Sequence, residues 1–253
     1  MPRVAVITGA SSGIGAATSR LLAERGWTTV LLARREELLR ELAQETGGEY
    51  EVCDVADRDG VAAAAARVLE RHPLVHLLVN NAGVPARASF LDAAPATIEN
   101  AMRVNYLGGI WCLRAFLPAL EAAAPADVVN VVSVAGVVAL PASGPYAASK
   151  HAQLAFSRVT AAGLRPRGIR VHTVKPGFVE TEGFPQARLP RPLRRLVTTP
   201  ERIAEHVLDS VERDRGETTV PRYYAAAGLL QALTPNLVAR SLARAGERTR
   251  IAR

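Results

Sequence analysis

Lysine is almost missing from this chain. Of its 31 basic residues only Lys150 and Lys175 are lysines, and the rest are arginines. Aromatic residues are scarce at 5% while hydrophobic residues reach 49%, so any core has to be built from Ala, Val and Leu. Cysteine occurs twice, as Cys53 and Cys112, each inside an apolar run. That usage excludes a disulfide framework and is expected of buried free thiols in a cytoplasmic protein. The five histidines are scattered, with no H-x-x-x-H or H-E-x-x-H arrangement, so no metal site is expected. No run of about 18 uncharged apolar residues occurs, which excludes a transmembrane helix. Met1-Pro2-Arg3-Val4 leads straight into an apolar stretch, and no targeting segment is expected ahead of it. The net charge of +7 invites a nucleic-acid reading, but the arginines are spread along the chain and few aromatics could stack on bases. One cluster, Arg188 to Arg195, is denser; no nucleic-acid partner is expected. At 253 residues the chain can bury a substantial core in one large domain or two small ones.

The stretch around which the rest is organised runs from Val128 to Gly136 and on to Lys150. A β-branched apolar run ends at Ser133, as a buried parallel strand does. Gly136, Pro141, Gly144 and Pro145 break the chain into a loop, and an Ala-rich helical pattern opens near Tyr146. Tyr146 and Lys150 share one helix face at i,i+4 spacing. A free phenol has a pKa near ~10, too high for proton transfer at neutral pH, and a nearby ammonium lowers it by about 1–3 units. Tyr-x-x-x-Lys alone is ordinary helix decoration. Where Arg fills nearly every basic position, however, a lysine one turn after a tyrosine suggests a need for a compact, tunable ammonium. Ser133, at a strand's carboxyl end, could hold a substrate oxygen beside the phenol.

Taken in order, residues 3–8 read as a buried strand, Gly9-Ala10-Ser11-Ser12-Gly13-Ile14-Gly15 as a glycine-rich turn, and residues 16–25 as a helix. That order sets backbone N–H groups and a helix N-terminus against a phosphate. The second strand, residues 27–33, ends in Arg34-Arg35 with no acid to bind a ribose 2′-hydroxyl, which favours NADP(H) and leaves NAD(H) as second choice. Alternation continues with a helix at 36–44, strand 49–53, helix 61–70, strand 75–79, a long helix 98–117, strand 127–133, helix 146–164 and strand 170–174. Asn105 sits in mid-helix against propensity, beside Gly108-Gly109, and so has either a task or a kink to cap. No internal linker interrupts the pattern, so one doubly wound parallel α/β sheet is predicted. Residues 177–199, rich in Pro and Arg, follow a strand's carboxyl end and are expected to form a substrate lid. Thr199 and Pro200 read as N-cap and first position of a helix to 211, and residues 217–220 as a last strand. Residues 225–253 form an amphipathic tail broken by Pro235. It is expected to cap the active-site end or to make a dimer contact, with peripheral binding to an anionic membrane as the alternative.

Jointly, Thr8-Gly9-x-x-x-Gly13-x-Gly15, Asp54, Asn80-Asn81-Ala82-Gly83, Asn105, Ser133, Tyr146-x-x-x-Lys150 and Pro176-Gly177 resemble the short-chain dehydrogenase/reductase family over residues 3 to about 220. The resemblance implies a single Rossmann-type domain with a parallel sheet of about seven strands. It implies that Gly9, Ser11, Ser12, Gly13, Ile14 and Gly15 cradle the pyrophosphate, that Asp54 and Val55 meet the adenine, and that Asn81, Ala82 and Gly83 pack by the adenosine ribose. Tyr146 is then the general acid or base, Lys150 binds the nicotinamide ribose and lowers the Tyr146 pKa, Ser133 orients the carbonyl, and Asn105 holds a relay water. Pro176, Gly177, Val179 and Thr181 line the nicotinamide end, Thr181 anchoring the carboxamide. Two departures stand out. Ser12 replaces the basic residue that some NADP-dependent members carry before the middle glycine, leaving cofactor choice to Arg34 and Arg35. Val220-Pro221-Arg222-Tyr223-Tyr224 replaces the Asp-Gly-Gly tail of tetrameric members, which favours a homodimer through the Asn105 and Tyr146 helices over a tetramer.

The expected activity is interconversion of an alcohol and a ketone or aldehyde. Phe178, Phe184, Leu189, Leu193 and Leu196 suggest a hydrophobic substrate. A non-catalytic NADP-binding sensor is the alternative, and it would not need the Ser133, Tyr146, Lys150 and Asn105 set.

Overall fold

Strand β1, Val4–Thr8, is buried along its whole length, and its side chains alternate between two cores. Val4 and Val6 face one, while Ala5 and Ile7 face the other. A strand covered on both faces needs a continuous apolar run, which is what the sequence supplies. The computed structural model describes residues 2–139, 141–182 and 196–251, with side chains as far as 244. After β1 come α1 (Gly13–Glu24), β2 (Thr28–Ala33), α2 (Glu36–Thr46), β3 (Glu49–Val52), α3 (Arg58–Arg71) and β4 (Leu77–Asn80). The chain continues through α4 (Pro95–Met102), a π-helical turn (Arg103–Leu107), α5 (Gly108–Ala122), β5 (Ala126–Val131), α6 (Gly144–Leu164) and β6 (Ile169–Pro176). It closes with α7 (Pro200–Glu212), β7 (Glu217–Val220), α8 (Tyr224–Leu233) and α9 (Pro235–Ile251).

The sheet has seven strands in the order β3-β2-β1-β4-β5-β6-β7, every pair parallel. One core, with Val61, Val68, Phe116 and Leu120, lies under α3 and α5. The other, with Leu22, Leu39, Ile203 and Val207, lies under α1, α2 and α7. Cys53 and Cys112 are buried and free, and burial pushes the Cys53 thiol up to about 11. Strand order reverses between β1 and β4, so the crevice that binds ligands in open α/β sheets lies outside the carboxyl ends of those two strands.

The long helix expected at 98–117 is instead two α-helices joined by a π turn. The extra residue lets Asn105 turn inward to partners off its own helix, and α5 then starts at Gly108, where a Cβ would lie 2.8 Å from Val55 Cγ2. Such single-turn π segments concentrate at functional sites. Beneath the sheet's carboxyl end runs a buried polar chain. Asn80 Nδ2 donates to Asn130 Oδ1 (3.0 Å), Asn130 Nδ2 donates to Ser157 Oγ (2.8 Å), and Ser157 and Thr173 share a hydrogen bond (2.7 Å).

Thr199 caps α7 by accepting the Arg202 N–H (3.4 Å). Thr199 also ends the segment expected as a lid, whose two ends pair: Glu180 N–H donates to Thr198 O (3.0 Å) and Thr198 N–H to Phe178 O (2.9 Å). Phe184, Leu189, Leu193 and the Arg188–Arg195 cluster lie outside the described residues. Pro235 divides the tail as expected. Helix α8 sits over the sheet's carboxyl end: Tyr224 meets Phe178 edge-on at 6.0 Å between ring centroids, and Gln231 Oε1 accepts the Ala139 N–H (3.0 Å). Its outer Leu229, Leu230 and Leu233 are exposed, as is Leu237 on α9. Among the described residues no helix is long and apolar enough to cross a membrane.

Candidate active site

The catalytic and cofactor-binding candidates named from the sequence gather around the carboxyl ends of the strands. After β1, Gly9 and Gly13 take φ values of +65° and +53°, the left-handed region that glycine enters without strain. A Cβ on Gly9 would lie 2.8 Å from Ala82 Cα, so the β1 turn and the β4 turn touch backbone to backbone. Thr8 and Asn81 lock that contact. Thr8 Oγ1 accepts the N–H groups of Asn81 and Ala82 (3.0 Å each), and Asn81 Nδ2 donates to Thr8 O (3.0 Å) and Gly9 O (3.3 Å). Thr181 reaches the same loop, its Cγ2 lying 3.1 Å from where a Gly13 Cβ would be.

Helix α1 has no side-chain cap and no acid in its first turn, so the positive end of its dipole is left for an anion. Ser12 stands at the N-cap but its hydroxyl accepts from Arg35 Nη2 (2.7 Å) instead. Arg35 also donates to Ser11 Oγ from Nε (3.2 Å) and Nη2 (3.1 Å), and from Nη1 to Glu182 (2.8 Å). Arg34 Nη1 lies 3.7 Å from Asp54 Oδ2, and Asp54 Oδ1 accepts the Ala56 N–H (3.0 Å). Val55 is buried where Gly108 lacks a side chain. Uncapped N–H groups, a glycine cradle and a guanidinium at its rim make a donor set that fits a dinucleotide pyrophosphate with an additional phosphate beside it.

Gly83 continues this wall toward the catalytic candidates. A Cβ on it would lie 3.3 Å from Asn105 Oδ1 and 3.7 Å from Lys150 Nζ. The buried Asn105 side chain spans two elements: Oδ1 accepts the Val84 N–H (2.7 Å), and Nδ2 donates to Val84 O (3.1 Å) and Ser149 Oγ (2.9 Å). Both amide hydrogens are thereby used, so the side chain ties the β4 turn to α6. Ser149 in turn donates to the Tyr146 carbonyl (2.7 Å).

Ser133 leaves β5 with its hydroxyl accepting the Ala135 N–H (3.1 Å) and donating to Pro176 O (3.4 Å). Tyr146 is half-buried with its hydroxyl on the enclosed side. Burial raises the phenol pKa above its ordinary value, and the hydrogen bond with Ser133 pulls it partway back. Lys150 lies 5.9 Å from the Tyr146 ring centroid and donates to Val131 O (3.2 Å) and Gln153 Oε1 (2.7 Å). Burial pushes its ammonium down to about 7. The sequence suggested a phenol made acidic by an adjacent ammonium. In this structure burial opposes the charged form of both groups. It is the one cause acting on Lys150, and for the phenol the Ser133 hydrogen bond offsets only part of it, so the phenol is protonated at neutral pH.

A sequence model of the short chain dehydrogenase family matches residues 3–191. The chain belongs to the short-chain dehydrogenase/reductase family. The bovine protein named Dehydrogenase/reductase SDR family member 7B is 35% identical over 189 residues, a match covering 70% of this chain but 58% of that protein's length. Among solved structures, an alcohol dehydrogenase from the archaeon Thermococcus sibiricus complexed with 5-hydroxy-NADP is 31% identical, with a TM-score of 0.77 over 88% of this chain and 98% of that one. A short-chain dehydrogenase/reductase from Burkholderia phymatum in complex with NAD is 28% identical, with a TM-score of 0.83 over 93% and 95%. Within this family member, Gln153 and Glu182 are the site neighbours that sequence reading passed over. The signal for Gln153 was a polar side chain at i+3 from Lys150 on an Ala-rich helix; Glu182 had none, because its partner Arg35 is distant in sequence.

Proposed function

We propose that this chain is an NADP(H)-dependent oxidoreductase that interconverts an alcohol and a ketone or aldehyde, with Tyr146 as the proton donor or acceptor. The observation that carries this reading is the meeting of the Tyr146 hydroxyl with Ser133, on the same wall as the glycine cradle. When bound, the nicotinamide supplies or takes up the hydride. The chain's own groups do the rest. Ser133 Oγ and Tyr146 Oη converge on one substrate oxygen, and the protonated phenol gives that oxygen its proton as the carbonyl is reduced. Lys150 lies beneath, and Asn105 fixes the β4 turn and α6 at the spacing the site needs.

The preference for NADP(H) over NAD(H) rests on Arg35, whose guanidinium already gathers two serine hydroxyls at the cradle's rim. Residues 177–199 are assigned to the substrate lid on their place after a strand's carboxyl end, and a hydrophobic substrate fits Phe178 and Leu196, which flank the pairing of Val179 with Thr198. The deciding experiment is Tyr146→Phe. Turnover with NADPH and a panel of apolar carbonyls should fall at least about 1000-fold, with NADPH binding nearly intact. A Phe variant that keeps full rate assigns the proton to another group.

A further inference from the structure

Lys150 is 3% exposed, and Gln153, one helical turn on, is 2% exposed. The two side chains share a face of α6 and meet at 2.7 Å, the lysine nitrogen donating to the glutamine carbonyl. The second acceptor, Val131 O at 3.2 Å, belongs to the backbone of β5. A buried ammonium needs either a counter-charge or a full set of acceptors. Of the groups that face it, Tyr146 and Gln153 come from its own helix, the Val131 carbonyl from β5, Ser133 beside the phenol from the following loop, and Asn105 by Gly83 from the π turn. Tyr146 is the one titratable member, and burial keeps it neutral. Burial is also the one cause acting on Lys150, with no carboxylate close enough to offset it among the described residues. Two neutral oxygens therefore hold this charge, and of the two only the Gln153 oxygen is a side chain that another residue could replace.

We propose that Gln153 is a positioning residue for Lys150: its amide oxygen fixes the lysine nitrogen beneath the site and keeps it charged there. Lysine has a flexible four-carbon stem and needs anchors to serve as a fixed point charge. Replacing Gln153 by an apolar residue removes the shorter of the two hydrogen bonds. The neutral amine then becomes the favoured form, and the phenol loses its nearby positive charge. A carboxylate at the same place does the opposite and holds the lysine charged. This inference rests on the proposed roles of Tyr146 and Lys150.

The test compares Gln153→Leu, Gln153→Met and Gln153→Glu in the full chain, with alcohol oxidation at saturating NADP followed across pH. Expected for Leu and Met is a rising limb displaced upward by about one pH unit, with kcat at neutral pH down about tenfold and KM within twofold. Glu should displace the limb downward. A second readout needs no turnover. With two lysines in the chain, lysine labelled with 15N at Nζ gives two signals, and Lys175→Arg assigns them. The Lys150 titration midpoint should fall in the Leu and Met variants and rise in the Glu variant, and Met covers the case in which Glu does not fold. Limbs or midpoints that stay in place, or that move the same way for Leu and Glu, overturn the proposal and leave Gln153 as packing. If Tyr146→Phe also keeps its rate, the catalytic reading has failed; if that variant is dead while Gln153 variants leave the limb unmoved, only the positioning role has.

Discussion

Replacing Arg35 with Ala separates the two nicotinamide cofactors more directly than any other change. The guanidinium makes three hydrogen bonds to Ser11 and Ser12 and one to Glu182, all at the open rim of the glycine cradle. A ribose 2′-phosphate placed there would take charge-assisted bonds worth about 1.5–3 kcal/mol. Arg35 is 43% exposed, so solvent screening puts the loss at the lower end, about tenfold to thirtyfold in NADPH affinity. NADH, which lacks that phosphate, should bind the variant within twofold of the parent. Glu182 competes with the phosphate for the same guanidinium. Its exposed ion pair is worth roughly 0.2–1 kcal/mol, so Glu182→Gln should tighten NADPH by at most about fivefold and leave NADH unchanged. Fluorescence titration of the parent and both variants with each cofactor at two salt concentrations reads these affinities, and salt should weaken NADPH binding to the parent more than to the Ala variant. Equal loss of NADH and NADPH in Arg35→Ala would refute the reasoning, because the arginine would then be shaping the loop. An effect seen only in Arg34→Ala would assign the phosphate to the other guanidinium.

Asn130→Ala should remove two hydrogen bonds from the buried chain, leaving Ser157 with Thr173 and Asn80 with the Gly109 carbonyl, at a cost of about 1–3 kcal/mol in total and a melting temperature lower by roughly 2–12 °C in calorimetry. Glu217 is held at about 2 by its hydrogen bonds to Arg158 and Lys175, well below an ordinary glutamate at 4.5. A depressed folded-state value stabilises above the unfolded value and is lost as pH falls toward 2. Glu217→Gln should therefore cost on the order of 2 kcal/mol at neutral pH, after allowance for partial exposure, and almost nothing near pH 2 in urea unfolding. Val159 stands 72% exposed on α6, one of the two helices through which the sequence leads us to expect a homodimer. The parent should run as a dimer in light scattering and Val159→Arg as a monomer; a parent monomer refutes that interface.

Periodicity and glycine placement carry most of this fold in one dimension. Runs such as Val4–Ile7 and Val128–Val132 can only be strands covered on both faces, and turn residues between them leave a helix's length for each crossover, so a parallel doubly wound sheet follows from local pattern alone. The same holds for Tyr146 and Lys150, because helix geometry fixes what lies one turn apart. Distance along the chain hid the rest. The π turn at Arg103–Leu107 exists because Asn105 finds Val84 and Ser149, 21 and 44 residues away. Arg35 meets Glu182 across 147 residues. The sign of the phenol's shift likewise depended on burial, which no spacing reveals: an ammonium one turn away promised an acidic tyrosine, whereas burial of the phenol itself raises its pKa. Local order wrote the sheet and the pair of catalytic candidates, whereas only the folded chain decided which charges survive burial, since desolvation is a property of everything that packs around a group.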